Sequence, residues 1–225
     1  MSSTFDAWMI VYTKSNLRVQ VFNNINKKLN LNIFPAIDSI HEFSKYENLA
    51  IYENYCTNEY INVIKKNPGK LGCNLSHQML LDHIYLNSKH DWNLILEDDI
   101  DLDESFINSV QDKLEDANKN NSYFIQLYTH PKFFDKQKER KKISANLYEK
   151  IFQWGTPAYL IHKKAIPLFK KNYPLDVNID IAYGKMISKW NSLCWLNNGI
   201  VTIGSIDNYD EKSKLGSIIY GKNPI

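Results

Sequence analysis

The stretch from Asn93 to Ser105, NLILEDDIDLDES, runs an apolar segment into six carboxylates within eight residues. Two carboxylates ~4 Å apart repel by about 4 kcal/mol at an effective dielectric near 20, so such a cluster calls for a cation, protons or solvent. Glu97, Asp98 and Asp99 come first, directly after WNLIL. In an open parallel sheet ligands sit beyond the carboxyl ends of strands, so a strand ending here aims these three side chains into a crevice. Hard oxygen donors suit Mg2+ or Mn2+, which keep positions open for phosphate oxygens. Asp101, Asp103 and Glu104 have a plainer reading, as acidic residues in the first turn of a following helix, where they favour the positive end of its dipole.

Other residues carry chemistry in outline. Asp176 and Asp180 lie in PLDVNIDIAYGK, where either can cap a helix or act as the general base that removes a proton from an attacking hydroxyl. Asp180 is the first choice for the base and Asp176 the second. His77 reads as the start of a helix, with Ser76 as its cap. Gly72 and Cys73 read as a tight backbone passage and a small core side chain. The segment His130 to Lys142, HPKFFDKQKERKK, holds six basic and two acidic residues. It is either a solvated loop or a lid that meets an anionic acceptor or a membrane surface. Trp154 and Tyr159 suit either ring stacking or the core.

Bulk properties frame these residues. A chain of 225 residues can bury a sizeable core, and its 44% hydrophobic and 13% aromatic content is ordinary for a folded protein. Lys+Arg 27 against Asp+Glu 25 leaves +2, which gives no support to nucleic-acid binding by overall charge. Cys56, Cys73 and Cys194 lie far apart with no CxxC pair, indicating neither a zinc site nor a disulfide framework. No window approaches the ~20 apolar residues of a membrane span, so a soluble cytoplasmic protein is expected.

The elements that must position the carboxylates follow from periodicity. Ala7 to Thr13 reads as a buried strand, the segment from Asn16 as a helix capped by Ser15 or Asn16, and Leu31 to Ile37 as a second strand. That βαβ unit favours a parallel sheet. From Asp38 to Gly72 the pattern suggests a long loop with one short helix near Glu59 to Lys66, stopped at Pro68-Gly69. A helix over NLSHQMLLDHIYLNS, the strand WNLILE, a helix over Phe106 to Ala117 and the strand SYFIQLY come next. IFQWGTPAYLIH reads as two strands broken at Gly155. KKAIPLFKK and IDIAYGKMISKW read as helices, and SLCWL and GIVTI as short strands. The expectation is one domain over 1–206 and a tail over 207–225.

Five segments in series resemble glycosyltransferase family 25: FPAID at 34–38, GKLGCNLSHQMLLDHI at 69–84, WNLILEDDIDL at 92–102, WGTPAYLIHKKA at 154–165 and PLDVNIDIAY at 174–183. The resemblance implies a GT-A type nucleotide-diphosphosugar transferase fold, an α/β architecture with a mostly parallel central sheet flanked by helices. It implies that Glu97, Asp98 and Asp99 are the metal and nucleotide-sugar motif, with Glu97 and Asp99 on Mn2+ or Mg2+. Arg18 and Lys14 stand as the remnants of the family's amino-terminal basic residues, and Ser76 and His77 fall near the nucleotide-sugar. The implied reaction moves a hexose, galactose foremost, from a UDP-sugar to a glycan, glycolipid or glycoprotein, with inversion. A degenerate transferase domain serving as a binding module and a metal-dependent phosphoester hydrolase are the competing readings.

Overall fold

The computed structural model describes residues 4–103, 105–196 and 201–203. The expected tail over 207–225 lies outside them, as does Glu104. Strand β1 (Phe5–Val11) leads into α1 (Asn16–Leu29), β2 (Asn32–Pro35), α2 (Phe43–Tyr52), α3 (Asn58–Ile64) and α4 (Gly69–Asn87). Then come β3 (Trp92–Glu97), β4 (Ile100–Leu102), α5 (Phe106–Lys119), β5 (Phe124–Gln126), a 3-10 turn at Pro131–Phe133 and α6 (Phe134–Lys138). The last elements are β6 (Lys142–Ser144), β7 (Leu147–Glu149), β8 (Ala158–His162), α7 (Ala165–Lys170), α8 (Ile179–Gly184), β9 (Leu193–Trp195) and β10 (Val201–Ile203).

Eight strands form one sheet in the order β2-β1-β3-β8-β5-β9-β7-β6, while β4 and β10 pair separately. Successive side chains of a strand point to opposite faces. Phe5, Ala7, Met9 and Val11 of β1 therefore join α5 residues such as Phe106 and Val110 in one core, with Val19, Phe22 and Ile25 of α1 packed against it. Trp8 and Ile10 join Leu80 and Ile84 of α4, Phe169 of α7 and Tyr183 of α8 in another. Each fully buried leucine-sized side chain contributes about 1.5–3 kcal/mol. This is the expected α/β class with helices on both faces of a large central sheet.

The sheet is mixed rather than mostly parallel. β1 is parallel to β2 and β3, and β5 to β9. The β3–β8, β5–β8, β7–β9 and β6–β7 pairs are antiparallel. Helices separate β1, β2 and β3, as parallel crossovers require, whereas β6 and β7 are joined by two residues, a link that only an antiparallel pair allows. Asn146 in that link has φ 59°, a conformation asparagine tolerates.

Four further expectations change. Helix α2 occupies part of the expected loop, because its Ala50, Phe43 and Tyr46 pack with α3 and α4 around Leu71 and Leu75. The link at Pro68-Gly69 starts α4 instead of stopping a helix, so Ser76 and His77 lie inside α4 and not at its start. The segment before Gly155 is not a strand; only Ala158–His162 is. Asp101 belongs to β4, opposite Thr202, and not to a helix turn, while Asp103 accepts the Ser105 N–H at 2.8 Å just before α5.

Candidate active site

The parallel register places Ile10 of β1 beside Glu97 at the end of β3. β8 runs the other way, with Ala158 opposite Leu96, so its amino end meets the carboxyl end of β3. The Glu97 N–H donates to the Pro157 carbonyl at 2.8 Å. The carboxyl ends of β1 and β3 and the residues preceding β8 thus converge on the acidic triplet.

Each of the three carboxylates has a different environment. Glu97 Oε1 accepts from Thr156 Oγ1 at 2.8 Å and faces His77 Nε2 at 3.1 Å. A carboxylate only accepts, so Nε2 carries the hydrogen toward Glu97, and in the neutral ring Nδ1 accepts from the Tyr159 hydroxyl at 2.9 Å. Tyr159 is tied in turn to the Tyr183 hydroxyl at 3.0 Å. Burial pushes the Glu97 carboxyl up, but His77, Thr156 and Arg18 outweigh it and hold the group below the usual glutamate range.

Asp98 is committed inward: Oδ1 accepts from Arg18 Nη1 at 3.0 Å and Oδ2 from the Tyr12 N–H at 2.6 Å. Burial raises its carboxyl above the usual range, with Arg18 opposing. Asp99 is the least satisfied. Its Oδ2 lies 3.9 Å from Arg18 Nη1, while among the described residues its buried Oδ1 has no hydrogen-bond partner. Burial, then the Glu97 charge, pushes its carboxyl up to about 7 against the pull of Arg18.

Arg18 reaches the triplet from the first turn of α1, where Ser15 is the cap and accepts the Arg18 N–H at 3.4 Å. It is 6% exposed. Three carboxylates face this one guanidinium, leaving a negative excess that a divalent cation would balance. The hard donors of Glu97 and Asp99, with the orphaned Oδ1, fit Mn2+ or Mg2+. A softer donor set overlaps them: ligand atoms of Cys73, His77 and Glu97 lie within 4.8 Å of one another. Cys73 and His77 sit four apart on α4 and share a face. Sequence reasoning assigned Cys73 to packing alone, although this spacing was its one available signal. Burial and the charges of Glu97 and Asp180 push the thiol well up, so it keeps its proton at neutral pH.

The remaining candidates divide. Ser76 Oγ donates to the Gly72 carbonyl at 2.7 Å and accepts the Ile37 N–H at 2.9 Å, binding α4 to the segment after β2 rather than meeting the carboxylates. Gly72 is the tight passage expected: a Cβ there would stand 2.5 Å from the Ile37 carbonyl oxygen. Asp180 begins α8 and accepts the Gly155 N–H at 3.2 Å and the Ile181 N–H at 2.8 Å. It lines a small recess with Gln126, Lys150, Gln153 and Thr156, so one residue, Thr156, borders Asp180 and bonds Glu97. Gly155 makes this possible with φ 87°, a left-handed backbone that other residues resist. Asp176 lies apart, 68% exposed and paired with Lys185 at 3.1 Å. Thr156 was not singled out from sequence; its place in the GTPAY segment was the only pointer.

The sequence profile of glycosyltransferase family 25 (LPS biosynthesis protein) matches residues 8–182, which include Arg18, His77, the acidic triplet, Thr156 and Asp180. A protein of Haemophilus influenzae described as "Putative glycosyltransferase" is 32% identical over 121 residues, 52% of this chain and 41% of that protein's length. Among solved structures, S. aureus TarS 1-349 aligns with 92% of this chain and 62% of its own, at 9% identity and a TM-score of 0.42. No helix among the described residues is long and apolar enough to cross a membrane.

Proposed function

Because the chain belongs to glycosyltransferase family 25, we propose that it is a metal-dependent glycosyltransferase of GT-A type, moving a hexose from a UDP-sugar to a hydroxyl of a glycan, glycolipid or glycoprotein, with inversion. Galactose is the first donor sugar to test. The observation that carries this reading is the Asp99 carboxylate, which feels the Glu97 charge and has a buried oxygen with no hydrogen-bond partner among the described residues. Such an oxygen costs free energy unless something binds it.

Glu97 and Asp99 hold the divalent ion in this reading, and a bound ion supplies charge neutralisation for the leaving diphosphate. Asp98 and Arg18 keep the triplet in place, so the negative field exists before the donor arrives. His77 and Thr156 orient Glu97. Asp180 is the general base: it takes the acceptor hydroxyl proton as that oxygen bonds to the anomeric carbon and the bond from that carbon to the diphosphate oxygen breaks. The basic segment 130–142 is the surface for an anionic acceptor or a membrane.

UDP release measured across a panel of sugar nucleotides, with Mn2+, with Mg2+ and with chelator, tests the proposal. Metal-dependent release from one UDP-hexose is expected, fastest with UDP-galactose. Release that ignores chelator would exclude the metal assignment, and no release from any member of the panel would exclude the transferase reading.

A further inference from the structure

Just before Gly155 the chain carries exposed aromatic rings that the reaction above leaves unused. Trp154 is 41% exposed and Phe152 38%. They precede Gly155 and Thr156, the residues that bond Asp180 and Glu97. The rings are braced rather than loose. Trp154 stands nearly perpendicular to Phe133, with centroids 5.1 Å apart, and to His130 at 5.5 Å, and Phe133 meets Phe152 edge to face at 6.4 Å. Phe152 is anchored in turn against α8: a Cβ on Gly184 would stand 2.4 Å from its Cδ2. The aromatic group is therefore fixed to the same helix that presents Asp180.

The electrostatics of this rim are specific. Lys132 Nζ lies 5.7 Å from the Trp154 ring centroid. Lys138, Arg140 and Lys141 are paired with Asp135 or Glu149, whereas among the described residues Lys132 is in no salt bridge. Burial, then Lys132, holds His130 below the usual histidine range, so it is neutral at pH 7 and Lys132 is the cation at this ring. A braced tryptophan offers a large contact area at little conformational cost. Its electron-rich face attracts the C–H groups on the face of a pyranose, which carry partial positive charge.

We propose that Trp154, braced by Phe133 and Phe152, is the platform on which a hexopyranose ring of the acceptor stacks, and that Lys132 selects a ring bearing a phosphate or carboxylate. This rests on the reading of Asp180 as the base that faces the acceptor. Its test is independent of turnover.

Saturation-transfer NMR on the full chain, without donor or metal, would use methyl glucoside, glucuronate and glucose 6-phosphate as probes. Transfer to the ring C–H protons is expected for all three, with the two anions binding more tightly. Trp154→Ala should weaken each about tenfold, while Trp154→Phe retains most of the affinity. Lys132→Ser should bring the anions down to the level of methyl glucoside. The two anions distinguish phosphate from carboxylate preference. The proposal is overturned by absence of transfer in the wild type, by unchanged binding in a folded Trp154→Ala, or by inorganic phosphate displacing the anions while methyl glucoside fails to bind. Donor-dependent UDP release is read separately, so failure here leaves the catalytic reading standing and the two failures are distinguishable.

Discussion

The two walls of the crevice are built on opposite plans. The wall made by β1, α1 and β3 is charged, buried and interlocked by contacts between residues distant in sequence: Tyr12 and Arg18 each reach Asp98 across 80 or more residues. The other wall presents aromatic and basic side chains, Lys132, Phe133, Phe152 and Trp154, and its rings brace one another. Like charges held together in a low-dielectric site need fixed partners, because misplacing one costs several kcal/mol. Rings and lysines at a surface tolerate variation, since each exposed charge is worth little and is screened by salt. Under the proposed function, the first wall would meet the constant diphosphate and the second the variable acceptor.

The comparison breaks most sharply where the walls meet. Asp180→Asn should lower turnover by about 10²–10⁴ while leaving UDP-sugar affinity unchanged and lowering stability by only about 1 kcal/mol, the worth of one lost hydrogen bond. Asn keeps an oxygen for the Gly155 N–H but replaces the one that accepts the Ile181 N–H with an NH2 group, and it cannot take a proton. Transfer rates at saturating donor decide this. Normal turnover in Asp180→Asn with loss in Asp176→Asn would move the base four residues upstream, against the exposed position of Asp176.

On the charged wall, Asp99→Ala should reduce metal-dependent UDP binding by about a hundredfold, because a ligand is lost and not merely an outer partner. Without metal the variant should melt at the same or a higher temperature, since the substitution relieves repulsion with Glu97. Titration calorimetry with and without Mn2+, beside melting curves in chelator, makes both readings. Wild-type binding would remove Asp99 from the metal site.

Behind the exposed wall lies one buried cation, and it sharpens the contrast through pH. Burial pulls Lys150 down to about 8 from the 10.5 of an open lysine. Between these values the unfolded chain binds more protons than the folded one, so this group makes stability rise with pH across that window. Below pH 8 the buried charge costs roughly 3 kcal/mol. Lys150→Met should therefore be more stable at pH 7 and should lose this contribution to the slope. Urea unfolding at pH 7, 9 and 10 measures it, and equal slopes in the two proteins would mean that Lys150 is hydrated.

The smallest effect belongs to the exposed charges. Replacing Lys138, Arg140, Lys141 and Lys142 with Ser should change stability by less than about 1 kcal/mol, because the pairs with Asp135 and Glu149 are exposed. Binding to anionic vesicles or to an anionic acceptor should fall several-fold at low salt, and added salt should reproduce the loss, since screening acts over roughly 8 Å at physiological ionic strength. Salt-independent binding in the wild type would make this segment a solvated connector.

The sequence by itself determined the parts whose signals are local. Short apolar runs marked β1 and β3, Ser15 or Asn16 marked the start of α1, and the triplet after WNLIL marked the end of β3. Tertiary structure decided what distant contacts control. Helix α2 has no side-chain cap, and α4 opens with two glycines in its first four residues, both poor local signals. Packing around Leu71 and Leu75 stabilises the first, and the Gly72 approach to Ile37 explains the second. The antiparallel entry of β8 brought Thr156 to Glu97 across 59 residues. The division of labour among the carboxylates was equally hidden. Three neighbours in sequence look alike, yet Arg18 and Tyr12 occupy Asp98, His77 and Thr156 occupy Glu97, and of the three Asp99 is the one with a buried oxygen that finds no hydrogen-bond partner among the described residues. Burial and partner geometry set the charge state of a group, and both are properties of the folded chain.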